Sequence, residues 1–242
     1  MIQKLLAQFS KLKRPVLTLA ETQQARLDLL SHKISTACKT DLSRDRIVVV
    51  DVETTGLSLA NDHLIAIGAI AIHAGRIVYA DSFDVLLRQE VASDKANILV
   101  HGIGGTAQRT GLPPEDALLA FLEYLDGAPL FAFHVTFDET MLRKACKKFL
   151  GIEFRHTWAD LAYLMPAFFP RYAQQYRALD DWLGQFSIGN DARHNALADA
   201  LATAQLGLIA LRSAQTKRIT DFKTLQDMEK AQRWLRSTWQ LS

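Results

Sequence analysis

The sequence predicts an α/β fold, a mixed five-stranded sheet flanked by helices, with extra helical segments at both ends. Three observations carry that prediction. The β-branched run Ile47-Val48-Val49-Val50 leads into Asp51-Val52-Glu53 and is broken by Thr54-Thr55-Gly56, the pattern of a strand buried on both faces. Two more strand-like runs follow, separated by short turns. Beyond residue 112, strand-like runs alternate with helical periodicity, and strands first with strand–helix alternation after them imply a mixed sheet.

Composition sets the outer limits. A chain of 242 residues has room for one substantial domain with appendages, or for two small ones. With 49% hydrophobic and 22% charged residues, it has the balance of a globular protein and not of a disordered one. No apolar run reaches the ~18–20 residues of a membrane span, and the first ten residues are too weakly apolar for a secretory signal. Only Cys38 and Cys146 occur, neither in a CxxC pair. A thiolate zinc site is therefore not expected, and a reducing cytoplasm with two free thiols is. The net charge of +2 conceals an uneven spread, +5 over residues 1–46, −6 over 47–212 and +3 over 213–242. Basic flanks are either solvated helix faces or a means of drawing a polyanion to an acidic centre.

Along the chain, Leu5, Leu6, Phe9 and Leu12 fit one side of a short amphipathic helix over 2–13, ended by Pro15. Thr18-x-x-Glu21 is a capping-box pattern ahead of Ala25, Leu29, Leu30 and Ile34, which predicts a helix over about 19–38. The polar stretch 39–45 reads as a linker. After the opening strand, the apolar run 63–72, the Ala74-Gly75 turn and the run 76–83 form an antiparallel meander. Pro113-Pro114-Glu115-Asp116 opens a helix to Asp126, stopped by Gly127. A short buried strand over 129–134 precedes a helix over 138–150, which Gly151 ends. Residues 153–156 read as another strand, and helices fit 158–164, 173–186 and 196–213. Past 214 the chain turns polar. Thr224-x-x-Asp227 resembles a helix start, with Trp234 and Trp239 available to pack it.

Three places stand out for chemistry. Side chains on a strand alternate, so Asp51 and Glu53 share a face. Two adjacent carboxylates at the end of a buried strand either have reached solvent or hold a divalent cation that relieves their repulsion. Asp138 lies where a buried strand gives way to a helix, as a helix cap or as a further ligand. Asp199 is a carboxylate within an alanine- and leucine-rich helix and faces solvent or a partner. His194 precedes it by five positions. At ~100° per residue, five steps separate two side chains around a helix, which puts His194 at the helix entrance or just before it.

In order, these residues spell Asp-x-Glu, a later Asp, and His-x-x-x-x-Asp. That series resembles the DEDD 3′→5′ exonucleases in their histidine-bearing branch, whose members include the proofreading (epsilon) subunit of bacterial DNA polymerase III. Asp51-Val-Glu-Thr-Thr-Gly56 is similar to the first motif of the family almost letter for letter. Val100-His-Gly-Ile103 resembles the segment between the first and second motifs, Phe137-Asp138 ends the second, and His194–Asp199 is the third. The sibling branch has Tyr four residues before the last Asp, where this chain has Asn195. Three positions depart from the pattern. Ala66 stands where Glu is usual, and Phe133 and His134 stand where His-Asn is usual.

The resemblance covers about residues 46–212. It implies a ribonuclease H-like exonuclease domain over 46–213, with helical extensions over 1–45 and 214–242. It also implies two divalent cations, Mg²⁺ or Mn²⁺, which suit hard oxygen ligands. Asp51 would bridge both ions. Glu53 and Asp199 would complete the site for one, and Asp138 would hold the other through water. His194 would be the general base, since an imidazole titrates near about pH 6.5. Thr54, Thr55 and Gly56 would seat the 3′ end, and Leu57, Val100, His101, His134 and Phe137 would line the substrate side, with plain core packing as the alternative for Val100 and Phe137. Apolar contact with a base is sequence-tolerant and suits the trimming of single-stranded DNA or RNA, with DNA favoured. The competing reading is a nuclease-fold binding module with little catalysis, acting through its helical flanks. Those flanks are expected to pack on the nuclease domain, a protein partner or a second copy. A nucleotide-switch reading fails because Gly102-x-Gly104-Gly105 lacks a Walker-type Lys.

Overall fold

The structure, a computed structural model, describes residues 19–31, 40–190 and 192–239. Strand β1 (Arg46–Thr54) pairs antiparallel with β2 (Leu64–His73), which pairs antiparallel with β3 (Arg76–Leu86). On its other side β1 pairs parallel with β4 (Leu130–Ala132), and β4 with β5 (Trp158–Asp160). The spatial order is β3-β2-β1-β4-β5, so the predicted mixed five-stranded sheet is present. The helices among the described residues are α1 (Glu21–Ser31), α2 (Lys95–His101), α3 (Gly105–Thr110), α4 (Pro114–Leu125), α5 (Val135–Phe149), α6 (Leu161–Phe168), α7 (Leu179–Gln185), α8 (Ala196–Thr216) and α9 (Phe222–Trp239).

Alternation along β1 divides the core in two. Val48, Val50 and Val52 meet Leu118, Phe121 and Leu142 of α4 and α5. Ile47 and Val49 point the other way, towards Ile70, Phe131 and the buried alanines of α8. Asp51 and Glu53 continue this second row, so the period of the strand aims both acids at α8. Small residues bring that helix close. A Cβ on Gly207 would lie 3.3 Å from Ile72 Cδ1 and 3.4 Å from Phe131 Cδ2. Helix α1 rests on α4 through paired Arg26–Glu123 hydrogen bonds of 2.7 Å.

Several expectations need correction. Residues 153–156 form no strand. The fifth strand is Trp158–Asp160, where a helix was expected, and α6 begins only at Leu161. Three residues buried in a parallel ladder show neither a period of 2 nor of 3.6, so their pattern is silent. The helix expected over 173–186 shrinks to Leu179–Gln185 because Asp181 accepts 2.8 Å bonds from the Arg177 and Ala178 amides and fixes the start there. Helix α5 begins at Val135, not at residue 138, with His134 in the left-handed region as its cap. Asp138 is therefore inside the helix and not its N-cap. Helices α2 and α3 were not foreseen at all. Residues 40–45 are no free linker, since Leu42 is buried, its amide donates to Thr220 O at 2.9 Å, and Phe222 N donates to Thr40 O at 3.1 Å. The predicted helix over 2–13, with Leu5, Leu6, Phe9 and Leu12, lies outside the described residues, as do Thr18, Ile34 and Cys38. Cys146 is a buried free thiol.

Helix α9 packs on α6 and the sheet edge. Phe222 is fully buried and stacks on Phe131 at 5.5 Å between ring centroids. Gln226 donates to Trp158 O at 2.7 Å. Trp234 is exposed. Truncating a fully buried Phe costs ~3–5 kcal/mol in transfer and cavity energy. Phe222→Ala is expected to lower the unfolding free energy by about 3 kcal/mol in urea titrations. A change under ~1 kcal/mol would mean that α9 contributes little to the core.

Candidate active site

The site begins at the end of β1, the point where that strand outruns β4. Parallel pairing of β1 with β4 is confined to Val48 and Val49, so the next residues lie beyond the strand's parallel neighbour, at its carboxyl end. Open α/β sheets leave their crevices there. Asp51 is half-buried and Glu53 buried. Asp199, in the first turn of α8, reaches them from the covering layer. One carboxylate oxygen from each of Asp51, Glu53 and Asp199 lies within 4.8 Å of the others. Asp138, buried in the first turns of α5, stands at the margin of this trio.

Such crowding is electrostatically costly. Burial, and then the charges of Asp138, Asp199 and Glu53, push the Asp51 carboxyl well above the usual range. Burial and the Asp199 charge push Glu53 up to about 8, with Arg193 pulling the other way. Burial also raises Asp138, while the backbone at its own amide and at Val52 favours its charged form. Oxygen-only donors at this spacing fit a hard divalent cation, whose charge would reverse each of these shifts.

Close approach of α8 depends on Gly68, which pairs with Asp51 across the β1–β2 ladder. A Cβ there would sit 2.1 Å from Ala196 C and Leu197 N, so any other residue forces the helix away. Ala66, opposite Glu53, adds no third carboxylate to that face. Asn195 caps α8 by accepting from Ala198 N at 3.0 Å. His194 stands just before this cap, exposed and left-handed at φ 63°. Its amide donates to Asp199 Oδ2 at 2.9 Å. Asp199 Oδ1 accepts from Arg193 Nη1 at 2.7 Å and from the side-chain amide of Asn190.

The remaining predicted residues fall into two groups. Thr54, Thr55, Gly56 and Leu57 form the turn leaving β1. Thr54 Oγ1 donates to Gly56 O at 2.6 Å and Thr55 Oγ1 to Asp62 Oδ1 at 2.8 Å. Leu57 is 87% exposed and Val100 54% exposed, so neither is core. Phe137 is half-buried against the α4–α5 core. His101 is buried: its Nδ1 accepts from Ile103 N at 3.0 Å, leaving Nε2 to donate to Ser93 Oγ at 3.2 Å. Burial, and more weakly His194, lowers its pKa. His101 thus braces the α2 loop from within, with its ring turned away from solvent. His134 is exposed, at φ 67°.

Four residues in these networks were not singled out from the sequence. Asp62 holds the β1 turn through Thr55 and through Ser58 N at 2.7 Å. Asp160, buried at the end of β5, accepts from His134 N and Ala162 N at 2.9 Å each and pairs with Arg233 of α9 at 3.3 Å. Arg193 and Asn190 are the other two. Asp160 at a strand end and Arg193 beside His194 were visible as residue types, but nothing local marks their partners.

The family model RNase_T, described as Exonuclease, matches residues 48–206. A DNA polymerase III subunit epsilon-like protein of Rhodobacter capsulatus is 31% identical over 190 residues, 78% of this chain and 27% of that protein. A PolC-type DNA polymerase III of Thermotoga maritima is 30% identical over 183 residues, 76% of this chain and 13% of the polymerase. The chain thus spans about a quarter or less of these relatives. Among solved structures, E. coli exonuclease I in complex with a dT13 oligonucleotide superposes with a TM-score of 0.61 at 15% identity, covering 72% of this chain and 42% of that one. Exonuclease X in complex with 5′ overhanging duplex DNA gives 0.58 at 17%, covering 76% and 99%. These two likenesses establish the ribonuclease H-like fold. Among the described residues no helix is long and apolar enough to cross a membrane.

Two outcomes are expected of this geometry. Gly68→Ala should lower the unfolding free energy by about 1–3 kcal/mol, the usual cost of overpacking; unchanged stability in a denaturant titration would show that α8 does not need the glycine. The second concerns pH. An unfolded glutamate titrates near 4.5, whereas Glu53 in the folded chain titrates at about 8. Across that window the unfolded chain has lost a proton that the folded chain keeps, so stability falls as pH rises and the full penalty stands above about 8. In EDTA, Glu53→Gln should raise the melting temperature at about pH 8.5 and leave it nearly unchanged at about pH 4. Equal gains at both pH values would mean that the buried charge is not the cause.

Proposed function

This chain belongs to the RNase_T exonuclease family, and from that premise we propose that it is a metal-dependent 3′→5′ exonuclease. It would remove nucleoside monophosphates from the 3′ end of single-stranded nucleic acid, DNA in preference to RNA. The observation that carries the reading is the convergence of Asp51, Glu53 and Asp199 within 4.8 Å, from a strand and a helix far apart in sequence. The relatives named for DNA polymerase III support the preference for DNA.

Asp51, Glu53, Asp138 and Asp199 would hold two divalent cations, Mg²⁺ or Mn²⁺. Bound there, the cations supply a more acidic water and neutralise charge building on the phosphoryl oxygens. His194 takes a proton from the attacking water at an imidazole nitrogen. The water oxygen bonds to phosphorus as the bond from phosphorus to the 3′ oxygen breaks; that oxygen takes up a proton from solvent to become the new 3′ hydroxyl of the shortened strand, and His194 returns its proton to solvent. The exposed, left-handed position of His194 suits a base that must reach a scissile phosphate in the cleft. The turn Thr54-Thr55-Gly56, held rigid by Asp62, seats the terminal sugar. Leu57 and Val100 offer apolar contact to the last base and Phe137 borders it. Such contact tolerates any base. His134 borders the second motif, and the buried ring of His101 fixes the loop that presents Val100.

The test is digestion of matched 5′-labelled DNA and RNA oligomers with Mg²⁺ or Mn²⁺. Shortening from the 3′ end with release of mononucleotides is expected, faster on DNA. Asp51→Ala should slow it by at least about 10³-fold, equivalent to ~4 kcal/mol of transition-state stabilisation. Undiminished digestion by that variant would sink the proposal.

A further inference from the structure

The acidic site already has a cation beside it, supplied by the chain. Arg193 Nη1 lies 2.7 Å from Asp199 Oδ1, while Nε of the same guanidinium lies 2.9 Å from Asp180 Oδ1 on α7. Its Nη2 stands 3.4 Å from Asp180 Oδ2. The Asn190 side chain also donates to Asp199 Oδ1, so two donors occupy that oxygen. Asp199 Oδ2 accepts the His194 amide. Asp199 is buried, but the Asp180 side chain is 62% exposed. The arginine therefore spans an inner carboxylate, which the site needs, and an outer one, which it does not.

Asn190 and Arg193 already take both lone pairs of Asp199 Oδ1, so a divalent cation that binds this oxygen must displace one of them, and it is the arginine whose charge repels the ion. Resting on the reading of these acids as cation ligands, we propose that Arg193 is the resident counter-cation of the metal-free site. It yields Asp199 to an incoming divalent ion and moves wholly onto Asp180, where its Nε already rests. Arg193 thus acts through Asp199 and sets how readily the acids take up a cation. Asp180 is the parking site that makes the exchange cheap.

Mn²⁺ binding to the full chain without nucleic acid, followed by the electron paramagnetic resonance of free Mn²⁺, tests this apart from catalysis. Arg193→Gln should bind Mn²⁺ about 5- to 10-fold more tightly than the parent, and Asp180→Asn a few-fold more weakly, because the arginine then has nowhere else to go. Simple long-range charge would produce the same signs, so the double variant decides. In the Arg193→Gln background, Asp180→Asn should change Mn²⁺ affinity by less than about two-fold, since coupled residues are non-additive. The inference is overturned if Arg193→Gln binds no tighter than the parent, or if Asp180→Asn costs the same in both backgrounds. If the parent chain binds no Mn²⁺, the functional reading itself fails and takes the exchange with it. All three variants alter solvent-accessible side chains, and circular dichroism checks that each is folded.

Discussion

Repulsion among carboxylates is the constraint around which this molecule is arranged. Asp51, Glu53 and Asp199 bring negative charge into a space 4.8 Å across, and burial forbids water from dispersing it. Left alone, acids so placed would protonate or move apart. They stay together because each is fixed by an element that cannot easily yield. Asp51 and Glu53 end a strand whose preceding four residues are almost wholly buried. Asp199 sits in a helix seated against Gly68 with no room for a Cβ between them. The packing free energy of two cores holds the charges at a separation that they would not choose.

Surrounding groups divide the work of containing that charge. Arg193 and Asn190 face Asp199 directly, and Arg193 offsets the burial of Asp51 and Glu53 as well. On the far side, Asp160 holds the His134 turn from which α5 and Asp138 start, and Arg233 of α9 answers its charge. The C-terminal helix is therefore connected to the site by a short chain of ion pair and hydrogen bond. Residues 40–45 are bonded to the start of the same helix, so segments that flank the acidic motifs in sequence meet in the core layer that α8 covers.

The three departures from the family pattern acquire physical meaning in this frame. Ala66 faces Glu53 across the ladder, and a glutamate there would add to the crowding. Phe133 and His134 lie edge to face at 4.8 Å, with the His134 amide, not its ring, carrying the bond to Asp160. A backbone donor does not depend on side-chain identity, so this bond forms with Phe-His at these two positions.

Much of this was determined by the sequence alone. A continuous β-branched run ending in Asp-x-Glu is a local property, and so are the alternation that puts both acids on one face and the alanine-rich helix bearing Asp199. The meander, the helices 114–125 and 196–216 and the candidate ligands could be read because period and residue type are written over many consecutive positions. Only the tertiary structure decided the rest. Three-residue β5 exists because β4 offers it a parallel partner, and no period survives in so short a piece. Residue type makes His101 a candidate contact, and only the fold shows its ring bonded to Ser93 and Ile103. Arg193 becomes the counter-charge of the site only because α7 and α8 fold Asp180 and Asp199 to either side of it. Hydrogen bonds and ion pairs between distant residues leave no periodic trace in a chain, so folding alone discloses them.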